Sequence, residues 1–246
     1  LHLADIKRCA WKGDHLQCDT CLSLALKDCN PHLSAEQHHE VRVELQDHRA
    51  TVLQCRTEYA VRKERARIYP ASFMSTILDG CDQNETNMPR FKDNTKQADK
   101  YDKYLLQHKL VGAIVHGSPN RVYNYVVPPN AAKVKGSNLT CEVLQRTLYK
   151  ERLRRQAVNI PWPSTLYLQM DNCPAENKNK FVVAYLSMLV ERKVFSTIYV
   201  NFHLVGHTHE DIDQFFSQYS GRVRFANLET FEEMSTLLQN CGVTSS

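Results

Sequence analysis

The chain is poor in the residues that break or over-constrain a fold. It has 8 Gly and 9 Pro in 246 residues, 2 Trp, and no repeated or low-complexity stretch. So little Gly and Pro excludes a collagen-like or linker-like chain, and 42% hydrophobic residues exclude disorder. No run approaches the ~18 consecutive apolar residues of a membrane-spanning helix. The first residues, LHLADIKRCAWKGD, lack the apolar core of a secretory signal. The chain begins at Leu1 rather than Met, so it reads as a segment of a longer protein. Charge of one sign does not dominate either. Lys and Arg (31) exceed Asp and Glu (27) by 4, with 11 His besides, which is compatible with a nucleic-acid partner and far from diagnostic.

Cysteine is present but unevenly spread. Four of nine Cys (9, 18, 21 and 29) fall within the first 29 residues, and one pair is Cys18-Asp-Thr-Cys21. A disulfide scaffold would be short and evenly dense, so this clustering points to a metal site in a reducing compartment. The sequons at Asn84 and Asn138 carry little weight without a sign of secretion.

Two regions differ in texture. Residues 1–69 are dense in charge and poor in β-branched residues, with predicted helices over 19–29 and 34–67. Ser34 is the expected N-cap of the second, Asn30-Pro31 ends the first, and Val41, Leu45, Val52 and Tyr59 form its apolar stripe. Together they make a helical hairpin. Residues 70–246 alternate. Strands are expected over 71–80, 108–117, 121–127, 164–172 and 196–206, and helices over 138–155, 174–193, 209–220 and 229–239. Asn138 and Pro174 are the expected openings of the first two helices, and Phe181, Tyr185, Met188 and Leu189 the buried face of the second. Three meandering strands followed by alternating helix and strand predict a mixed α/β sheet of five strands flanked by helices, the order of the ribonuclease H-like fold.

Helical rise gives the cysteines a partner. The first helix spans about 16 Å at ~1.5 Å per residue, and the returning helix regains that distance near residue 45. His48 then stands beside Cys18 and Cys21, and Cys9 is the expected fourth ligand of a structural Zn²⁺. Cys55, about 10 Å further along the helix, is less suitable. The competing reading makes these cysteines small buried apolar groups.

Acids mark the strand ends. Asp79 ends the first strand, Asp171 ends the fourth, and Glu210, Asp211 and Asp213 follow the fifth in GHTHEDID. Phosphodiester chemistry with two Mg²⁺ or Mn²⁺ needs clustered carboxylates, and acids at the ends of neighbouring strands converge on one rim of a sheet. Each is also explicable by turn or cap chemistry. Thr208 and Asp211 have capping-box spacing, and Glu210 offsets the helix dipole. Asp213 points about 200° away from Asp211 at ~100° per residue, on the face of Phe216. That makes Asp213 the expected third acid, ahead of Glu210 and Asp211, with Asp79 and Asp171 roughly 4–7 Å apart across the metal ions. A His-x-His zinc site at His207 and His209 is the alternative use of this segment. Basic residues cluster at Arg62, Lys63, Arg65 and Arg67, and at Arg146, Lys150, Arg152, Arg154 and Arg155. Either set can meet DNA phosphates or form a solvated helix face.

LYLQMDNCPAENKNKFVVAYLSMLVERKVF and FHLVGHTHEDIDQFFSQ, with ILDGCDQNETNMPRF, HKLVGAIVHG and GSNLTCEVLQRTLYKERL in the same order, resemble a family of transposase-derived proteins. That family is known mostly as a domain of unknown function with a ribonuclease H-like, integrase or DDE-type core. The likeness runs from about Cys18 to about Gly221. It implies a transposable-element product acting in the nucleus on DNA, both transposon ends and target, as a candidate homo-oligomer away from membranes. By position it implies Asp79, Asp171 and an acid of GHTHEDID as catalytic residues. Asn172, Asn177 and Lys178 would contact phosphate or orient Asp171, and His207 and Glu210 would support the site. Asp82 reads as a turn residue. The alternatives are a domesticated or inactive binding module that keeps the fold, and a ribonuclease H-like nuclease without transposition.

Overall fold

A computed structural model describes residues 18–81, 86–91, 105–128, 136–202, 204, 206–207 and 211–241. Cys9, Asp82, Thr208, His209 and Glu210 lie outside the described residues. The chain divides into two compact units, Leu1–Gln54 with Leu204–His207, and Cys55–His203 with Thr208–Ser246. The boundary expected at 69/70 falls inside the second.

The first unit is the helical hairpin. Helix α1 spans Asp19–Asp28, and helix α2 spans Ala35–Ile68, with residues up to Gln54 in this unit. A capping box opens α2: the Gln37 N–H donates to Ser34 Oγ at 3.2 Å, and the Ser34 N–H donates to Gln37 Oε1 at 2.9 Å. The antiparallel register is held where Asp28 ends α1. Its carboxylate accepts from His38 Nδ1 at 3.0 Å and Arg42 Nε at 3.0 Å.

The second unit is a five-stranded mixed sheet between helices. Strands β1 (Phe73–Gly80), β2 (Lys109–Val115) and β3 (Arg121–Val127) precede α3 (Ser137–Ala157). Then follow β4 (Thr165–Met170), α4 (Lys180–Glu191), β5 (Thr197–Phe202), α5 (Asp211–Val223) and α6 (Phe231–Cys241). The spatial order is β3-β2-β1-β4-β5. β2 is antiparallel to β1 and β3, whereas β1, β4 and β5 are parallel. Strand alternation sorts the core into two layers. Met74, Leu78, Leu166 and Leu168 pack under Val143, Leu144 and Leu148 of α3 and Val182, Leu186 and Leu189 of α4. Ile77, Leu110 and Ile114 pack under Tyr59 of α2, Phe215, Phe216 and Tyr219 of α5, and Met234 and Leu238 of α6. Covering both faces is what the near-continuous apolar run of β1 requires.

Several expectations need correction. Residues 174–179 form a turn rather than the first turns of α4: the Cys173 carbonyl accepts from the N–H groups of Asn177 and Lys178, and Asn179 caps the helix, accepting from the N–H groups of Phe181 and Val182. An asparagine is a far better N-cap than a proline-led turn, so the helix starts late. Phe181 then falls in the first turn, 63% exposed, and the buried stripe is Val182, Leu186 and Leu189. Gly136, not Asn138, is the N-cap of α3. The basic run of α3 is divided: Arg146, Lys150 and Arg152 are exposed on a solvated face, whereas Arg154 and Arg155 turn toward Glu151. Glu151 is fully buried, accepts from Arg121 Nε at 2.6 Å, Arg154 Nε at 2.7 Å and the Tyr123 hydroxyl at 3.0 Å, and pairs with buried Arg155. A buried carboxylate needs such partners, and they tie α3 to β3. Arg67 pairs with Glu64, and Arg62 pairs with Glu58 and lies over the rings of Tyr167 and Tyr199.

Candidate functional site

In the first unit, Cys18, Cys21, His48 and His207 bring one ligand atom each within 4.8 Å of one another, a group that can hold a metal ion. Cys18 Sγ is 3.4 Å from His48 Nε2, Cys21 Sγ is 3.5 Å from His207 Nε2, and the two Nε2 atoms are 3.2 Å apart. Burial and the adjoining Cys18 sulfur raise the Cys21 thiol above its ordinary pKa in the metal-free state. His207, expected beside the acids, stands here in the place foreseen for Cys9. Gly206 makes this approach possible. Its φ is +79°, and a Cβ there would lie 2.5 Å from Cys18 Cα, so only glycine fits.

In the second unit, Asp79 and Asp171 sit at the same end of neighbouring parallel strands. Leu78 and Met170 are register partners, and each acid is the next residue along. Both line a cavity of about 220 Å³ with Glu176, Lys109, Asn177 and Thr140. Asp79 Oδ1 accepts from the Gly80 N–H at 2.8 Å, and Asp171 Oδ1 accepts from the Asn172 N–H at 2.6 Å, so Asn172 steadies Asp171 through its backbone. Asn177 Oδ1 accepts from the Thr140 hydroxyl at 2.9 Å, and Lys178 lies over the Phe202 ring.

Asp213 arrives from the sheet's other side. On β2, Gly112 is the register partner of Asp79. The absent side chain leaves room for Phe216 and Ile212, whose atoms would lie 3.1 and 3.3 Å from a Cβ at that position. Asp213, next to Ile212 in the first turn of α5, thereby comes close enough for its charge to act on Asp79. Burial lifts the Asp79 carboxyl to about 7; the Gly80 N–H opposes the rise, and the charges of Asp213, Asp171 and Glu176 add to it.

Asp211 is engaged differently from the helix cap expected of it. The Tyr59 hydroxyl donates to Oδ1 at 2.7 Å, and Lys63 Nζ and His116 Nε2 reach Oδ2 at 2.7 and 3.0 Å. Ser75 Oγ fixes the buried His116 ring through Nδ1 at 2.8 Å. Burial would raise the Asp211 carboxyl, but the bonds from His116, Lys63 and Tyr59 outweigh it and hold the group well below the ordinary carboxylate range.

A family model for a domain of unknown function, DUF7869, matches residues 98–245. The chain belongs to the DUF7869 family. Lys109, Asp171, Glu176, His207 and Asp213 fall within the matched DUF7869 stretch, while Asp79, Cys18, Cys21 and His48 precede it. No curated protein and no solved structure matches the chain. Among the described residues, no helix is long and apolar enough to cross a membrane. Sequence reasoning passed over Glu176 and Lys109. The signals were there: Glu176 lies in the turn that follows Asp171, and Lys109 is the one charged residue of its apolar strand.

Proposed function

We propose that this DUF7869 chain is the ribonuclease H-like catalytic core of a DNA transposase, cleaving and transferring DNA strands with divalent metal ions. The observation that supports the reading is Asp79 and Asp171 lining one cavity, with Asp79 driven up to about 7 by burial and by the charges of Asp213, Asp171 and Glu176. The sheet order β3-β2-β1-β4-β5, with its antiparallel first three strands, supports the fold part of the reading. A donor set of carboxylate oxygens fits Mg²⁺ or Mn²⁺. Two such ions would activate water or a 3′-hydroxyl and neutralise charge on the leaving oxygen. Asp79 and Asp171, steadied by the Gly80 and Asn172 N–H groups, both line the cavity and would supply carboxylate oxygens to the ions. Asp213 adds a third carboxylate from α5, and Asp211 anchors that helix.

The Cys/His group reads as structural zinc. A tetrahedral zinc with bonds near 2.0–2.3 Å has ligand–ligand edges of about 3.3–3.8 Å, and the separations of 3.2–3.5 Å between these side chains come close to that pattern. Two thiolates and two imidazoles form a closed set with no open position for chemistry.

The test is Mn²⁺-dependent cleavage of a DNA substrate by a panel of single variants. Asp79→Asn, Asp171→Asn and Asp213→Asn should each lower cleavage by orders of magnitude, while Asp211→Asn mainly lowers stability. Full activity in Asp213→Asn with loss in Glu210→Gln would assign the third acid to Glu210. A wild-type protein that binds DNA but never cleaves it would point to a domesticated binding module.

A further inference from the structure

Lys109 is the single cationic side chain among the described residues lining the acid cavity. It opens β2, and its side chain is 13% exposed, so the ammonium is held at the cavity rather than in bulk water. Burying an ammonium is costly unless it is paired. The pair it makes is a long one: Nζ lies 3.5 Å from Glu176 Oε1, and the Glu176 side chain is 45% exposed. A long pair with a half-exposed partner is a weak reason for holding the ammonium there. Stability alone is therefore a poor reason to keep a lysine at the start of β2's otherwise apolar sequence, in a cavity it shares with Asp79, Asp171 and Glu176.

Charge explains its presence better. Asp79, Asp171 and Glu176 line the cavity with Lys109, and the charge of Asp213 acts on Asp79; two divalent cations held by these four carboxylates would balance them and leave the ammonium as the surplus positive charge. One phosphodiester carries one negative charge and would neutralise it. An ammonium is also suited to this contact, being a compact point charge with three rotatable donors and no demand for planar geometry.

We infer that Lys109 is a substrate-binding residue: its ammonium takes a non-bridging oxygen of a nucleic-acid phosphodiester, and Glu176 holds it in place until the phosphate enters. This deepens the phosphodiester reading of the cavity and rests on it. Glu176 competes with substrate for the lysine, so removing its charge favours the bound state.

The experiment is fluorescence anisotropy of a short fluorescein-labelled DNA duplex, titrated in Ca²⁺ at several salt concentrations, with cleavage kinetics in Mn²⁺ alongside. Lys109→Met should weaken binding about tenfold and reduce the salt slope by about one phosphate contact. In cleavage it should raise KM more than it lowers kcat. Lys109→Arg should retain most of the affinity, and Glu176→Gln should bind tighter than wild type. Lys109→Met with wild-type affinity and slope, in protein that melts normally, overturns the assignment. Should that variant fail to fold, unchanged affinity in Glu176→Gln overturns it equally. Wild-type protein that binds no DNA overturns the phosphodiester reading together with this one. Wild type that binds and cleaves beside an unaffected Lys109→Met overturns the role of Lys109 alone.

Discussion

Replacing Asp79 by Asn removes a carboxyl whose ionisation the metal-free fold opposes. Its ordinary value is 3.8, and the folded environment lifts it to about 7. Between these values the folded chain keeps a proton that the unfolded chain has released, so stability falls as pH rises through this window and the loss is complete above about 7. At 1.36 kcal/mol per unit the full penalty is about 4 kcal/mol, and partial exposure of the side chain brings it to roughly 2–4 kcal/mol. Asp79→Asn carries no such penalty. In chemical denaturation without added divalent cations it should nearly match wild type near pH 4, exceed it increasingly from about pH 5 with most of the difference present by about pH 6, and exceed it by ~2–4 kcal/mol at pH 8. Adding Mn²⁺ at pH 8 should stabilise wild type and close the gap, since a cation favours the ionised carboxyl. Equal stabilities at pH 8, or a difference that ignores pH, would refute the placing of Asp79 among buried acids.

Metal analysis of the purified protein should give about one zinc per chain. A Cys18→Ser, Cys21→Ser double variant should lose it, and so should Gly206→Ala, whose new Cβ would overlap the Cys18 backbone. Zinc-free wild type of normal stability would sink the structural role. Glu151→Gln should destabilise the fold by roughly 3–5 kcal/mol, because Arg121, Arg154 and buried Arg155 lose their shared anion. A urea midpoint unchanged from wild type would contradict that reading.

The strands were legible because each is an apolar run bounded by Gly, Pro or Asn, as in FMSTILDG and RVYNYVV. Cys18, Cys21 and His48 were also within reach of sequence, since helical rise alone sets the register of a hairpin. His207 was not. Its partner choice depends on where the chain goes after β5, and that route follows from a positive-φ glycine fitted against Cys18. The same limit hid Glu176, whose importance comes from a turn that carries its carboxylate to the cavity rather than into a helix. The inward-turned Arg154 and Arg155 escaped notice because a charge run looks alike whether it meets water or a buried Glu151. Phe181 misled through periodicity: Tyr185, Met188 and Leu189 do pack on the core, but in the first turn of α4 it is Val182 that is buried and Phe181 that is exposed.

Cys21 and His207 are 186 positions apart, yet they face each other across 3.5 Å. An ion shared by them closes most of the polypeptide into a ring, as a cross-link would. In the chain-entropy picture, closing a ring of this length removes about 5 kcal/mol of freedom from the unfolded ensemble. The ion would therefore slow the loss of a chain that has been cut. A protease nick anywhere between these two ligands would open the ring while leaving both pieces tied to the same metal, so that in denaturant they would part only when a chelator is added.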